Sequence, residues 1–63
     1  MNIGRNIRER REALGMNRNQ LSMDARISWG HLEALEEGGT NPSVKTLKRI
    51  ATALNCTVAE LCE

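Results

Sequence analysis

A chain of 63 residues is one domain at most, and a domain this short is only marginally able to bury a core. Its hydrophobic share of 40% is ordinary for a folded domain, and Trp29 is the only aromatic, so Ile, Leu, Val, Ala and Met must build the core. That composition favours packed helices over a small sandwich or barrel. No apolar run approaches the ~20 residues of a membrane span. The opening Met-Asn-Ile-Gly-Arg is not the apolar stretch of a signal peptide, so the expected location is cytoplasmic, with no membrane partner. Cys56 and Cys62 read as small buried hydrophobes. Together with His31, the single histidine, they fall short of a four-ligand zinc site, so no metal and no cofactor are expected. The net charge of +1 is unevenly spread. Residues 1–26 sum to +3 and residues 27–63 to −2, which allows a local phosphate-facing surface but not a globally basic one.

In chain order, a first helix is predicted from a cap at Asn2 to Leu14, ending before Gly15. Ile3, Ile7 and Leu14 form its apolar stripe. Arg11 falls on that stripe, where its charge needs a partner, because an unpaired buried guanidinium is costly. Arg5, Arg8, Glu9, Arg10 and Glu12 read either as a solvated face of helix-spaced pairs or as phosphate contacts.

Two short helices joined by a tight turn follow, at about residues 18–37. Asn17 with Gln20 three positions on has the spacing of a reciprocal capping box. A second start falls at Ser28, and Gly38-Gly39 supplies a stop. Leu21 and Ala25 share one face, Leu32 and Leu35 another, and Ile27 plugs the angle between them. Two helices at a steep angle around a small core, with the outer side of the second left free, are what a helix-turn-helix requires. Met16 is expected in the core. Gly38 to Ser43 is a loop by composition. Ser43 then caps a fourth helix, Val44 to Leu54, with apolar positions Val44, Leu47, Ile50, Ala51 and Leu54, and Asn55 closes it. Thr57 and Glu60 form a second capping box that opens a short fifth helix carrying Val58, Leu61 and Cys62. The expected fold class is all-α: five helices in a single domain over 1–63.

The ordered set Ile7-Arg8, Arg11, Leu14-Gly15, Leu21, Ala25, Ile27-Ser28, Leu32, Leu35-Glu36, Gly38, Asn41-Pro42-Ser43, Thr46-Leu47, Ile50-Ala51, Ala53-Leu54 and Thr57 to Leu61 resembles the lambda-repressor-like, or Xre/Cro-type, helix-turn-helix regulators. The resemblance runs from Ile3 to Leu61. It implies a compact five-helix fold, transcriptional regulation without enzymatic activity, and a homodimer on double-stranded operator DNA. It also implies an ion pair between Arg11 and Glu36. Two positions depart from the family's usual residues. Ser22 stands where Ala is common, a small change if its hydroxyl bonds back to the preceding turn. Arg26 stands where Gly is common, at a position that often takes a positive φ, at a cost of about 1 kcal/mol for a side chain.

The resemblance places helix three (28–36) in the major groove and the base-reading side chains at Trp29, Gly30 and Ala34. None of these makes the two-pronged hydrogen bonds by which Arg reads guanine or Asn and Gln read adenine. Ala34 suits a thymine methyl, Gly30 allows close approach, and Ser28, His31 and Glu33 supply polar neighbours on the groove side. Readout is therefore either apolar and shape-dependent or of modest specificity. Phosphate contacts are expected from Asn17, Arg18 and Asn19 at a helix N-terminus, and from Thr40, Asn41, Ser43 and Lys45 at the next. Glu37, near this surface, would repel phosphate if it faced the duplex. A protein-interaction module on the same fold, with Trp29 as its anchor, is the competing reading. No nucleophile–base pair or phosphate-cradling Gly-rich loop can be assembled, so neither an enzyme nor a small-molecule ligand is expected.

Overall fold

A computed structural model describes residues 2–63 and, among them, contains five helices and no strand. They are α1 (Ile3–Ala13), α2 (Arg18–Ala25), α3 (Trp29–Glu36), α4 (Val44–Ala53) and α5 (Val58–Leu61). All five begin at a side-chain cap. Asn2, Asn17, Ser28, Ser43 and Thr57 each accept the amide three residues on. Gln20 and Glu60 accept in return from the amides of Asn17 and Thr57, both at 2.9 Å. A cap of this kind is worth about 1 kcal/mol, which matters where no helix is longer than 11 residues.

Helix α2 packs on α3 and α4, α1 on α3 and α5, and α4 on α5. The core they share is Ile7, Leu21, Ala25, Leu32, Leu35, Leu47, Ile50, Ala51, Leu54 and Leu61. Ile3, Met16, Ile27, Cys56, Val58 and Cys62 pack against it half-buried. The two cysteines are free thiols, and burial pushes that of Cys56 above its usual value.

The apolar stripes differ from the pattern in two places. Leu14 is 50% exposed, because it is the C-cap of α1, just where Gly15 (φ +71°) turns the chain away. The buried line of α1 is instead Gly4, Ile7 and Arg11. A β-carbon at Gly4 would run into the Leu35 carbonyl, so glycine is what lets α1 cross the end of α3 at this distance. Val44 is 68% exposed, and Thr46 takes the buried place in the first turn of α4.

Arg26 ends α2 in the left-handed region (φ 59°, ψ 44°). The turn keeps the backbone shape that glycine would supply, with the strain of a side chain added. The Ser22 hydroxyl donates to the Asn19 carbonyl at 2.9 Å, which satisfies it inside the packed face of α2. Asn55, just beyond the C-cap of α4, is also left-handed (φ 54°).

Candidate nucleic-acid interface

The angle between α2 and α3 is fixed by a buried charge cluster. Arg11, on the inner face of α1, donates from Nε to Glu36 Oε2 at 2.8 Å and from Nη2 to Glu36 Oε1 at 3.1 Å. Its Nη1 donates to the Met16 carbonyl at 2.8 Å. From the first position of α2, Arg18 Nε adds a third bond to Glu36 Oε1 at 3.0 Å. The Glu36 side chain is completely covered, and Arg11 is nearly so. Burial pushes the Glu36 carboxyl up, but the hydrogen bonds and charges of the two arginines outweigh it and hold the group below the usual carboxylate range. Three helices thus meet on one carboxylate.

Arg18 does not stop there. Its Nη2 reaches Glu37 at 3.1 Å, its Nη1 lies 3.7 Å from Glu33, and its guanidinium sits 5.8 Å from the centroid of the Trp29 ring. Arg18, expected from the sequence to contact phosphate at the start of α2, is thus engaged within the protein. Its charge is compensated by three carboxylates, and four-fifths of its side chain is covered. Nothing in the spacing of α2 signalled this, because the partners lie 15 to 19 residues away across the turn.

The inner side of α3 carries Leu32, Leu35 and Glu36, all buried. Its outer side carries Trp29, Gly30 and Glu33, all exposed, with Ala34 half-buried beside them. Trp29 is 46% exposed. Nothing lies near the Cα of Gly30 on its outer side, so the backbone there is open to close approach. Ser28 lies just outside the helix as its cap and accepts from the His31 amide at 3.0 Å, so α3 proper starts at Trp29. His31 is exposed.

The expected phosphate ligands form two groups. At the start of α2, Asn17 spends its side-chain oxygen on Gln20, and Asn19 turns its amide toward the Met23 sulfur. With Arg18 already bound, this end retains little uncompensated positive charge. At the loop and the start of α4, Thr40, Asn41 and Lys45 are exposed, while the Ser43 hydroxyl caps Thr46.

The Helix-turn-helix family model matches residues 7–61. The chain belongs to this family, in its lambda-repressor-like branch. Among curated helix-turn-helix proteins, the HTH-type transcriptional regulator DdrOP3 of Deinococcus deserti is 36% identical over 63 residues, covering 100% of this chain and 49% of that protein. The HTH-type transcriptional regulator SlrR of Bacillus subtilis is 40% identical over 60 residues, covering 94% of this chain and 40% of that protein. The chain thus spans half or less of the length of these relatives. Among solved helix-turn-helix structures, the restriction-modification controller protein C.AhdI from Aeromonas hydrophila superposes with a TM-score of 0.92 at 28% identity. That match covers 95% of this chain and 91% of the controller protein.

Among the described residues no helix is long and apolar enough to cross a membrane, and no group of His, Cys, Asp and Glu is placed to hold a metal ion.

Proposed function

We propose that this domain binds double-stranded operator DNA as the reading head of a transcriptional regulator, with α3 in the major groove. The observation that carries the reading is the division of α3: its inner side is locked by Leu32, Leu35 and the Glu36 cluster, while Trp29, Gly30 and Glu33 stand uncovered. The regulators named among its relatives support the same reading. Trp29 and Ala34 supply apolar contact to thymine methyls and sugar edges, and Gly30 admits the backbone closely. A single domain offers one such helix, so the chain acts as a homodimer whose two copies of α3 lie about 34 Å apart, one helical turn of DNA.

The test is fluorescence or gel-shift binding to mixed duplex DNA across a salt series, followed by selection of bound sites from random sequence. A DNA reader loses affinity steeply as salt rises, since each phosphate contact releases counterions. Trp29→Ala is expected to change the selected sequence while leaving the helical signal intact. Salt-independent, weak binding refutes the reading.

One observation favours a second reading. Trp29 is a large apolar surface residue backed by an arginine, the kind of side chain that anchors protein contacts. If Trp29→Ala abolishes a protein complex and leaves DNA binding untouched, the domain is an interaction module.

A further inference from the structure

The cations of this chain divide into two populations. Arg5, Arg8, Arg10, Arg11 and Arg18 all lie on α1 or at the start of α2, and each has a carboxylate partner. Among the described residues, Arg26, Lys45, Lys48 and Arg49 make no ion pair. The second group is also spatially coherent. Lys45, Lys48 and Arg49 are three and four residues apart on α4, which carries no acidic residue at all. Arg26, Lys48 and Arg49 line one open recess of about 350 Å³ with Thr52 and a single acid, Asp24. Arg49 Nε itself is buried and has no hydrogen-bond partner. Arg26 precedes Trp29 by three residues, so one of the residues lining this recess belongs to the turn that leads into α3.

The surroundings of the arginine that lies beside the Trp29 ring are different. Around Arg18 stand Glu33 and Glu37, with half their side-chain surface open to solvent. A phosphate there meets one arginine already shared among three carboxylates. A phosphate at the turn meets three cations and one carboxylate.

We propose that Arg26, Lys48 and Arg49 hold the phosphate backbone flanking the α3 footprint, so that the pull on DNA comes from the turn and α4 rather than from the start of α2. This rests on the DNA-binding reading above and extends the duplex path beyond α3 onto the side of α4. Arg26 has a role in this arrangement that its strained backbone alone does not suggest: it places a guanidinium where glycine would place none.

The experiment compares the full chain with the triple variant Arg26→Gln, Lys48→Gln, Arg49→Gln, and with the charge-matched control Arg5→Gln, Arg8→Gln, Arg10→Gln. Binding to one duplex is measured from low to moderate salt, with circular dichroism to establish that each variant is folded. The slope of log affinity against log salt is expected to shrink by about 0.9 for each phosphate no longer neutralised, so by roughly 2–3 in the triple variant. Near 0.1 M salt the affinity is expected to fall by about tenfold for each cation removed. The α1 control is expected to keep the parent slope, and Arg26→Lys, Lys48→Arg, Arg49→Lys to restore most of it. A folded triple variant with the parent slope overturns this inference and leaves the DNA-binding reading standing. A parent chain that binds no duplex at any salt overturns that reading instead. If the triple variant loses a polyglutamate probe but not DNA, the recess serves an acidic protein, and the inference is again overturned.

Discussion

Glu36→Gln tests the physical centre of the domain. The carboxylate is fully covered and accepts three charge-assisted bonds, at 2.8, 3.0 and 3.1 Å, from two arginines. A glutamine amide keeps one acceptor oxygen and turns the other position into a donor facing a guanidinium. Removing one partner of a buried pair typically costs about 3–5 kcal/mol, because the remaining charge is left buried without compensation. Here Arg11 bears most of that loss, since its other carboxylate, the exposed Glu12, lies 3.9 Å away, whereas Arg18 still has Glu37 and Glu33. A domain of this length has a total stability of about 3–9 kcal/mol, so a loss near 3 is comparable with the whole. The assay is urea unfolding followed by circular dichroism, at neutral pH and in acid. Because Glu36 is held below its unfolded value, its contribution is fully present above the ordinary carboxylate range. It is lost as pH falls through the lower, folded value. Glu60 is also held low, first by the Thr57 amide and hydroxyl, then by Arg10. The parent chain is therefore expected to lose stability in acid by two routes, and Glu36→Gln to remove one of them. A loss below about 1 kcal/mol at neutral pH, or an acid limb identical to the parent's, would refute the account.

Two further substitutions test the backbone. Gly4→Ala is expected to destabilise by about 1–3 kcal/mol or more, although alanine is the better helix former, because its methyl group meets the Leu35 carbonyl; a thermal melt reads the loss. Arg26→Gly is expected to stabilise by about 1 kcal/mol, since it relieves a left-handed residue, while weakening DNA binding by removing a cation; stability and affinity moving in the same direction would contradict it.

The caps and the core were readable from the sequence because both depend on local spacing. Asn17 with Gln20 and Thr57 with Glu60 close three residues apart, and Leu47, Ile50, Ala51 and Leu54 repeat with the helix. The need for a partner at Arg11 was also readable from its place on an apolar stripe, while its pairing with Glu36, 25 residues away, came only from family resemblance. The state of Arg18 was not readable. Three glutamates converge on it across the turn, and sequence order does not say which of several nearby cations each will choose. Gly4 was missed for a related reason: its role is set by how closely two helix backbones cross, and an absent side chain leaves no periodic mark. Leu14 and Val44 were misplaced at helix ends, where periodicity continues on paper after the packing surface has stopped. The division of the cations into paired and unpaired sets is a sum over all these contacts.

The charge cluster also bears on how the proposed reading face, weakly polar as it is, would be specific. Trp29, Gly30 and Ala34 offer at most one hydrogen-bond donor among their side chains, so on the proposed reading discrimination would come from fit, and fit requires a fixed pose. The arginine that joins α2 to the Glu36 carboxylate is the one lying beside the Trp29 ring. One side chain therefore ties the angle of the two helices to the attitude of the largest group on the outer face. Because Arg18 is committed to that role, it is a poor source of net positive field. On the DNA-binding proposal, the attraction for phosphate would arise on α4 and the turn, where unpaired charge remains. On the proposed reading, Glu36 would fix the pose of the outer face through Arg11 and Arg18, and the electrostatic pull would be left to the cations that have no carboxylate partner.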